Sequence, residues 1–193
     1  MENKQDPTTF RRLLKDPNFS VTLEDKFNMA KSLTSSLYEL HCHGWLHKSI
    51  RSDNIIFHPD DTSIKSEAGG RYGLDTTPYL IGFYHSRPDS QVFYSESNNE
   101  PSDTTSVLYQ HPEYQHKLNR FEKKYDYYSI GIILLEIAFW KPIEVIKAKC
   151  DKDKGGVLDN QGFRDKLIRK YVPILAEVMG SAFKKCGIGL FEL

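Results

Sequence analysis

The sequence predicts a mainly α-helical (α+β) domain that is built around one central buried helix. The stretch Tyr125–Trp140 is apolar on every side of a helical wheel, and a helix of this kind is buried rather than amphipathic. It is too short to span a bilayer, and it carries Glu136 in its middle. A second helix is indicated by the periodicity of Leu23–Leu40, and two short apolar runs, Ile55–Phe57 and Pro78–Phe83, are typical of short strands.

Length and charge restrict the class of protein. The chain has 193 residues, which is enough for one domain with a sizeable core. Lys plus Arg and Asp plus Glu balance at 26 each. The chain therefore lacks the positive charge excess that would indicate binding to nucleic acid or to an anionic membrane. No segment qualifies as a membrane span, and the N-terminus lacks the apolar core of a secretory signal.

The cysteines indicate the compartment. Cys42, Cys150 and Cys186 are few, odd in number and without the spacing of a metal or redox site. Such usage suits a reducing environment, so we expect an intracellular, cytoplasmic protein.

Residues 1–22 are predicted to form a polar, turn-rich N-terminal segment in which Phe10, Leu13 and Leu14 dock as one helical turn. The first long helix is expected to begin at Leu23, and Gly44 is its natural stop. Its N-cap is predicted to be Thr22, and acidic residues in the first turn favour the helix dipole. Its apolar positions recur at helical spacing: Leu23, Phe27, Ala30, Leu33, Leu37 and Leu40.

Most of the remaining segments are predicted to be loops that connect the helices and strands. Residues 59–73 and 86–106 are polar and rich in turn-forming residues, and both are predicted to be loops. The central helix is expected to end at Lys141-Pro142, and the charged, glycine-containing stretch 147–162 is predicted to be a loop. Residues 163–179 are predicted to form one or two further helices, with Pro173 at a break or in a first turn.

Four sequence patterns occur in an order that is informative. Asp126, Ser129 and Gly131 form D-x-x-S-x-G at the start of the central helix. Earlier in the chain stand H-K-S-I-R-S-D-N at 47–54, I-G-F-Y at 81–84 and H-P-E at 111–113. Together they resemble the large lobe of protein kinases, in which H-R-D-L-K-x-x-N, D-F-G and A-P-E precede D-x-W-S-x-G.

The resemblance covers residues 23–193 and implies a protein-kinase-like C-lobe with short strand pairs. The small lobe is expected to be absent, because the residues before Leu23 are too few to supply it. The lobe is also expected to be truncated at its C-terminal end, because Lys185-Cys186 resembles part of a late kinase helix without the arginine that pairs with the A-P-E glutamate, here Glu113. The stretches H-G-W-L-H-K-S-I-R-S-D-N-I at 43–55 and L-L-E-I-A-F-W-K-P-I at 134–143 resemble, more narrowly, the degenerate fungal kinase-like domains associated with HeLo-type proteins.

The resemblance also implies a loss of catalysis. Kinases use an aspartate near the substrate hydroxyl and an aspartate and an asparagine on Mg²⁺. Here Ser49 stands at the position of the first aspartate and Gly82 at that of the second, so only Asn54 remains. Arg51 and Phe83 belong to the same vestigial motifs, and we expect no binding of ATP or Mg²⁺.

Other residues of the motifs are implied to be structural. His47 is expected to pack beneath the loop, and Glu113 and Gly131 to support the fold. Asp126 is expected to accept hydrogen bonds from backbone N–H groups around His47 and Lys48, with a plain helix cap as the alternative.

Two other kinds of site share residue types with this chain but not their arrangement. His41, Cys42, His43 and His47 contain zinc-ligand types, but neighbouring residues on a helix point in different directions. Ser49 lies close to His47 but lacks the G-x-S-x-G elbow of a hydrolase nucleophile. Neither pattern predicts a site.

The predicted function is that of a catalytically inactive kinase-like domain that binds a protein partner or a second copy of itself. Two alternatives stay open: residual ATP binding or kinase activity with unconventional residues, and a truncated product without a function of its own. Apolar groups near Leu80, Ile81 and Phe83 are expected to be partly uncovered.

Overall fold

The computed structural model describes residues 6–58, 77–90, 105–115, 120–181 and 183. The described chain is mainly helical, as predicted, with short antiparallel strands. The helices are α1 (Phe10–Lys15), α2 (Leu23–Cys42), α3 (Pro112–Gln115), α4 (Lys123–Phe139), α5 (Ile143–Lys154), α6 (Asn160–Lys166) and α7 (Val172–Met179). The strands are β1 (Thr8–Thr9), β2 (Trp45–Leu46), β3 (Ile55–Phe57), β4 (Tyr79–Leu80) and β5 (Arg87–Pro88).

The described strands form two small sheets beside the helices. β1, β3 and β4 form an antiparallel sheet in that order, and β2 pairs with β5. Between β2 and β3 the chain passes through a 3₁₀ turn at Ser52–Asn54, and a second 3₁₀ turn, Phe83–His85, follows β4. These turns bring the ends of β2, β3 and β4 together at one place.

Helix α4 is the central helix that the sequence predicts. Its residues are buried on all sides, including the motif residue Gly131, and α2, α5 and α7 pack around it. It ends at Phe139, three residues before the predicted Pro142, because Trp140 adopts a left-handed conformation with φ 49°.

Helix α2 has the predicted boundaries. Thr22 caps it in a capping box: the Thr22 hydroxyl accepts a hydrogen bond from the Asp25 N–H, and the Asp25 carboxylate accepts one from the Thr22 N–H. At the other end, Gly44 has φ +74°, which favours glycine.

The described part of the N-terminal segment belongs to the core. Phe10, Leu13 and Leu14 are buried on α1, and the Phe10 ring contacts Phe57 and Trp140 at centroid distances of 6.1 and 5.6 Å. β1 adds the edge strand beside β3. Phe10, Leu13 and Leu14 therefore dock on the core in one short helix, as predicted.

The prediction of a loop over 147–162 is wrong. α5 extends to Lys154 and α6 begins at Asn160. The charged residues are helical because Lys147 pairs with Asp151 one turn later, at 2.7 Å, while Ile146 and Cys150 bury the opposite face. The Asp151 carboxylate also accepts the Leu158 N–H at 2.9 Å, which connects the helix to the following turn.

Some predictions concern residues outside the described ranges. These are the loop at 59–73, most of the loop at 86–106, and the C-terminal Lys185-Cys186. In the part of the chain that is described, no helix is both long and apolar enough to cross a membrane.

Candidate functional site: the loop after β2

Asp126 connects the central helix to the loop after β2. Its side chain is fully buried, and its two carboxylate oxygens accept hydrogen bonds from the backbone N–H groups of His47 and Lys48, each at 2.8 Å. Lys48 has φ +68°, an uncommon value for a residue with a side chain, so the loop follows a tight path at this point.

The alternative that Asp126 simply caps the helix is wrong. The helix begins at Lys123, so Asp126 lies inside its first turn. Glu122 occupies the N-cap position and makes no side-chain capping bond. The carboxylate of Asp126 therefore holds a distant loop rather than the end of its own helix.

His41 is a third partner of Asp126 that the sequence analysis missed. Its Nε2 lies 3.0 Å from Asp126 Oδ2, and both side chains are buried. The neighbouring His43 ring instead contacts the Glu39 carbonyl at 2.7 Å through Nδ1. The side chains of His41 and His43 therefore bind different groups and do not converge on one site.

His47 packs beneath the loop. Its Nδ1 accepts a hydrogen bond from the Ser49 N–H at 3.2 Å, and its ring lies 4.6 Å from the ring of the half-exposed Phe83. Burial lowers the pKa of His47, an effect that the nearby Asp126 carboxylate opposes. Because the ring nitrogen binds the Ser49 backbone rather than its hydroxyl, the geometry does not support a Ser–His nucleophile.

Asn54 and Gly82 interlock, because the Asn54 side chain fills the space next to the Gly82 Cα. The Asn54 amide Nδ2 donates to the Ser49 carbonyl at 2.7 Å and lies 2.9 Å from Ser49 Oγ. Gly82 has φ +87°, and a Cβ placed on it would lie 2.5 Å from Asn54 Nδ2. Real atoms do not approach this closely, so the Asn54 amide occupies the space that a side chain at 82 would need.

This interlock predicts that substitutions at positions 54 and 82 do not have additive effects on the free energy of unfolding. Gly82→Ala is expected to cost more than the roughly 1–2 kcal/mol of a left-handed alanine, because its methyl group also meets Asn54. In an Asn54→Ala background the extra cost should disappear, as urea melts of the double-mutant cycle would show. Gly44→Ala is the matched control, because φ is +74° and a Cβ there meets nothing within 4 Å. Equal costs for Gly82→Ala in both backgrounds would contradict the interlock.

The other two motif residues, Arg51 and Glu113, have separate partners. Arg51 precedes the 3₁₀ turn, and its carbonyl accepts the Asn54 N–H at 2.9 Å. The Glu113 side chain is exposed and accepts a hydrogen bond from Lys124 Nζ at 3.1 Å. This hydrogen bond lowers the Glu113 pKa. In protein kinases the corresponding glutamate pairs with an arginine, which is expected to be missing here. In this chain Glu113 pairs with Lys124.

A buried polar network that the sequence analysis did not identify lies below the loop. Ser52 Oγ is 2.7 Å from the Tyr109 hydroxyl, which donates to Glu136 Oε1 at 2.8 Å. The same oxygen accepts the Ile143 N–H at 2.7 Å, so Glu136 joins the loop, the segment before α3 and the start of α5. Burial raises the Glu136 pKa to about 8. The acidic Glu136 inside an otherwise apolar helix indicates a buried polar interaction, but the sequence alone does not predict which groups bind it.

Comparison with known proteins agrees with this architecture. The chain is similar to a solved structure, a chain of the yeast RNA Pol II CTD kinase CTDK-1 complex, with a TM-score of 0.51 and 16% identity over 70% of this chain. The chain has a protein kinase-like fold. At this identity the likeness concerns the fold alone, and the matched part is 38% of the solved chain.

A weaker similarity exists at the level of sequence. Over 116 residues, 56% of this chain, it is 27% identical to the serine/threonine-protein kinase STN7, chloroplastic, of Arabidopsis thaliana. This chain spans about a fifth of that protein's length, 20%. No protein-family model matches the chain.

Proposed function

We propose that this kinase-like domain is catalytically inactive and acts by binding protein. One observation carries the first half of the proposal: the Asn54 amide is bonded to Ser49 and fills the space beside Gly82. Neither Ser49 nor Gly82 carries a carboxylate, so nothing at these positions can accept a proton from a substrate hydroxyl.

The residues present do not fit Mg²⁺. The ion needs near-octahedral oxygen coordination and is usually held through carboxylates together with substrate phosphates. Ser49, Asn54 and Gly82 offer one hydroxyl and one amide, and these two groups lie within 2.9 Å of each other. We therefore derive no phosphoryl-transfer step for this chain.

The binding role is supported by exposed apolar side chains around β4. Tyr79, Ile81 and Phe83 are exposed, and Tyr84 is almost fully accessible, at 96%. Large exposed apolar side chains that cluster on a surface mark interaction sites.

We also propose the narrower kinship with degenerate fungal kinase-like domains of HeLo-type proteins, and residence in a reducing compartment.

Mg–ATP is expected to leave the melting temperature of the purified chain unchanged. A ligand at a hundred times its dissociation constant would stabilise the fold by about 2.7 kcal/mol, which a thermal-shift assay detects. A clear upward shift with Mg–ATP that Asn54→Ala abolishes would overturn the proposal and favour residual nucleotide binding.

The binding half is tested separately, by purifying the tagged chain from its native cell and identifying what accompanies it. A protein recovered with wild type and lost on Tyr84→Lys supports the role, with Val157→Lys as an equally accessible control at 84% exposure. Recovery of neither a partner protein nor a second copy would favour a product without a function of its own.

A further inference from the structure

The backbone of β4 has one edge that is directed away from its sheet. In the antiparallel pair of β3 and β4, Tyr79 stands opposite Ile56, and the Ile81 N–H donates to the Asn54 carbonyl at 2.9 Å. Tyr79 and Ile81 therefore turn their backbone groups toward β3. Because backbone direction alternates along a strand, the N–H and C=O of Leu80 face outward. β4 is the outer strand of the described sheet.

The side chains of the same segment also alternate. Leu80 packs against the core, whereas Tyr79 and Ile81 on the opposite face are 45% and 37% exposed. Residues 78–84 contain no Lys, Arg, Asp or Glu. Natural sheet edges are protected by charges, by prolines or by being short. β4 is short and follows Pro78, but it carries none of the charges that would oppose pairing with another strand.

We propose that β4 is a dimerisation edge that pairs antiparallel with β4 of a second copy of this chain. The two strands meet at a twofold axis through Leu80, so that each Leu80 N–H donates to the Leu80 carbonyl of the other copy. On the exposed face, Tyr79 of one copy lies opposite Ile81 of the other. This inference rests on the proposed function and names the partner for that binding surface.

A second copy is the occupant that this edge fits. A twofold contact requires a self-complementary surface, and an antiparallel strand centred on one outward residue provides it. Aromatic and β-branched side chains, here Tyr79 and Ile81, are a favourable cross-strand pair. The net charge of the chain is zero, so two copies do not repel each other at neutral pH.

Sedimentation velocity over a wide range of concentrations tests the proposal on the full chain. We expect wild type to dimerise, and Tyr79→Lys and Ile81→Lys each to weaken dimerisation by about tenfold or more, or about 1.4 kcal/mol. Val145→Lys on α5 replaces an apolar residue of similar exposure, 48%, and should dimerise like wild type. Circular dichroism of each variant confirms that it is folded.

Cross-linking tests the register in a background in which Cys42 and Cys186 are replaced by serine. The proposed pairing makes residues 79 and 81 a non-hydrogen-bonded pair with a Cα separation of about 4.5 Å, which a disulfide can bridge. A mixture of Tyr79→Cys and Ile81→Cys chains should therefore form a disulfide dimer faster than either chain alone.

Several results would overturn the inference. They are a monomeric wild type at every concentration, a dimer unaffected by Tyr79→Lys and Ile81→Lys, and a mixture that cross-links no faster than its components. A monomer that still recovers another protein from the cell would remove this inference and leave the proposed function standing.

Discussion

Asp126→Ala is expected to destabilise the domain by about 3 kcal/mol or more in urea melts. The substitution removes the acceptor of the His47 and Lys48 backbone N–H groups and of the His41 ring. A buried donor left without a partner costs about 1–3 kcal/mol, and here several donors lose the same acceptor. Asp126→Asn keeps one acceptor oxygen and should cost less.

Two controls make this result specific. Glu122→Ala removes an acidic residue from the N-cap of the same helix, where it makes no capping bond, and should change stability by less than about 0.5 kcal/mol. Ser49→Asp should cost far less than Asp126→Ala, because residue 49 is only half-buried and an aspartate there keeps an acceptor for the Asn54 amide. An Asp126→Ala protein that melts like wild type would remove the main physical support for this loop architecture.

Glu136→Gln is expected to make the domain more stable than wild type at and above pH 8. Burial raises the Glu136 pKa from 4.5 to about 8 in the folded state, so between these values the folded chain binds more protons than the unfolded one. Wild type therefore loses stability from this group as pH rises from 4.5 to 8, and the loss then levels off. The loss is on the order of a few kcal/mol.

Glutamine resembles the neutral acid and keeps an oxygen that accepts hydrogen bonds from the Tyr109 hydroxyl and the Ile143 N–H. The stability of the Glu136→Gln variant should therefore not fall between pH 4.5 and 8 because of this group. The comparison is made between the two proteins at each pH, because other groups titrate as well. Burial lowers the His111 pKa from 6.5 to about 4, which gives the opposite trend in that range. Wild type and Glu136→Gln should be equally stable near pH 4.5 and diverge above it. Parallel curves up to pH 8 would show that Glu136 titrates normally.

The sequence by itself determined the elements whose signals are local or periodic. The all-round apolar run predicts the buried α4, because no face of such a helix gains from contact with water. The N-cap Thr22 predicted the start of α2, because its hydroxyl and the N–H group that it caps lie within one turn. The order of the kinase-like patterns predicted the fold, and it placed Asp126 beside the His47 loop. The charged α5 was misread because local composition outweighed its Ile143, Ile146 and Cys150 periodicity.

Only the tertiary structure decided which distant groups meet. His41 and Asp126 are separated by 85 residues, and Tyr109 and Glu136 by 27, so no spacing rule connects them. The clash between Asn54 and a Cβ at 82 likewise depends on the packing of β3 against β4. Hydrogen bonds and steric contacts act over a few ångströms in space, whereas a sequence pattern records only separation along the chain. The identity of each motif residue was therefore readable from the sequence, and its partners were not.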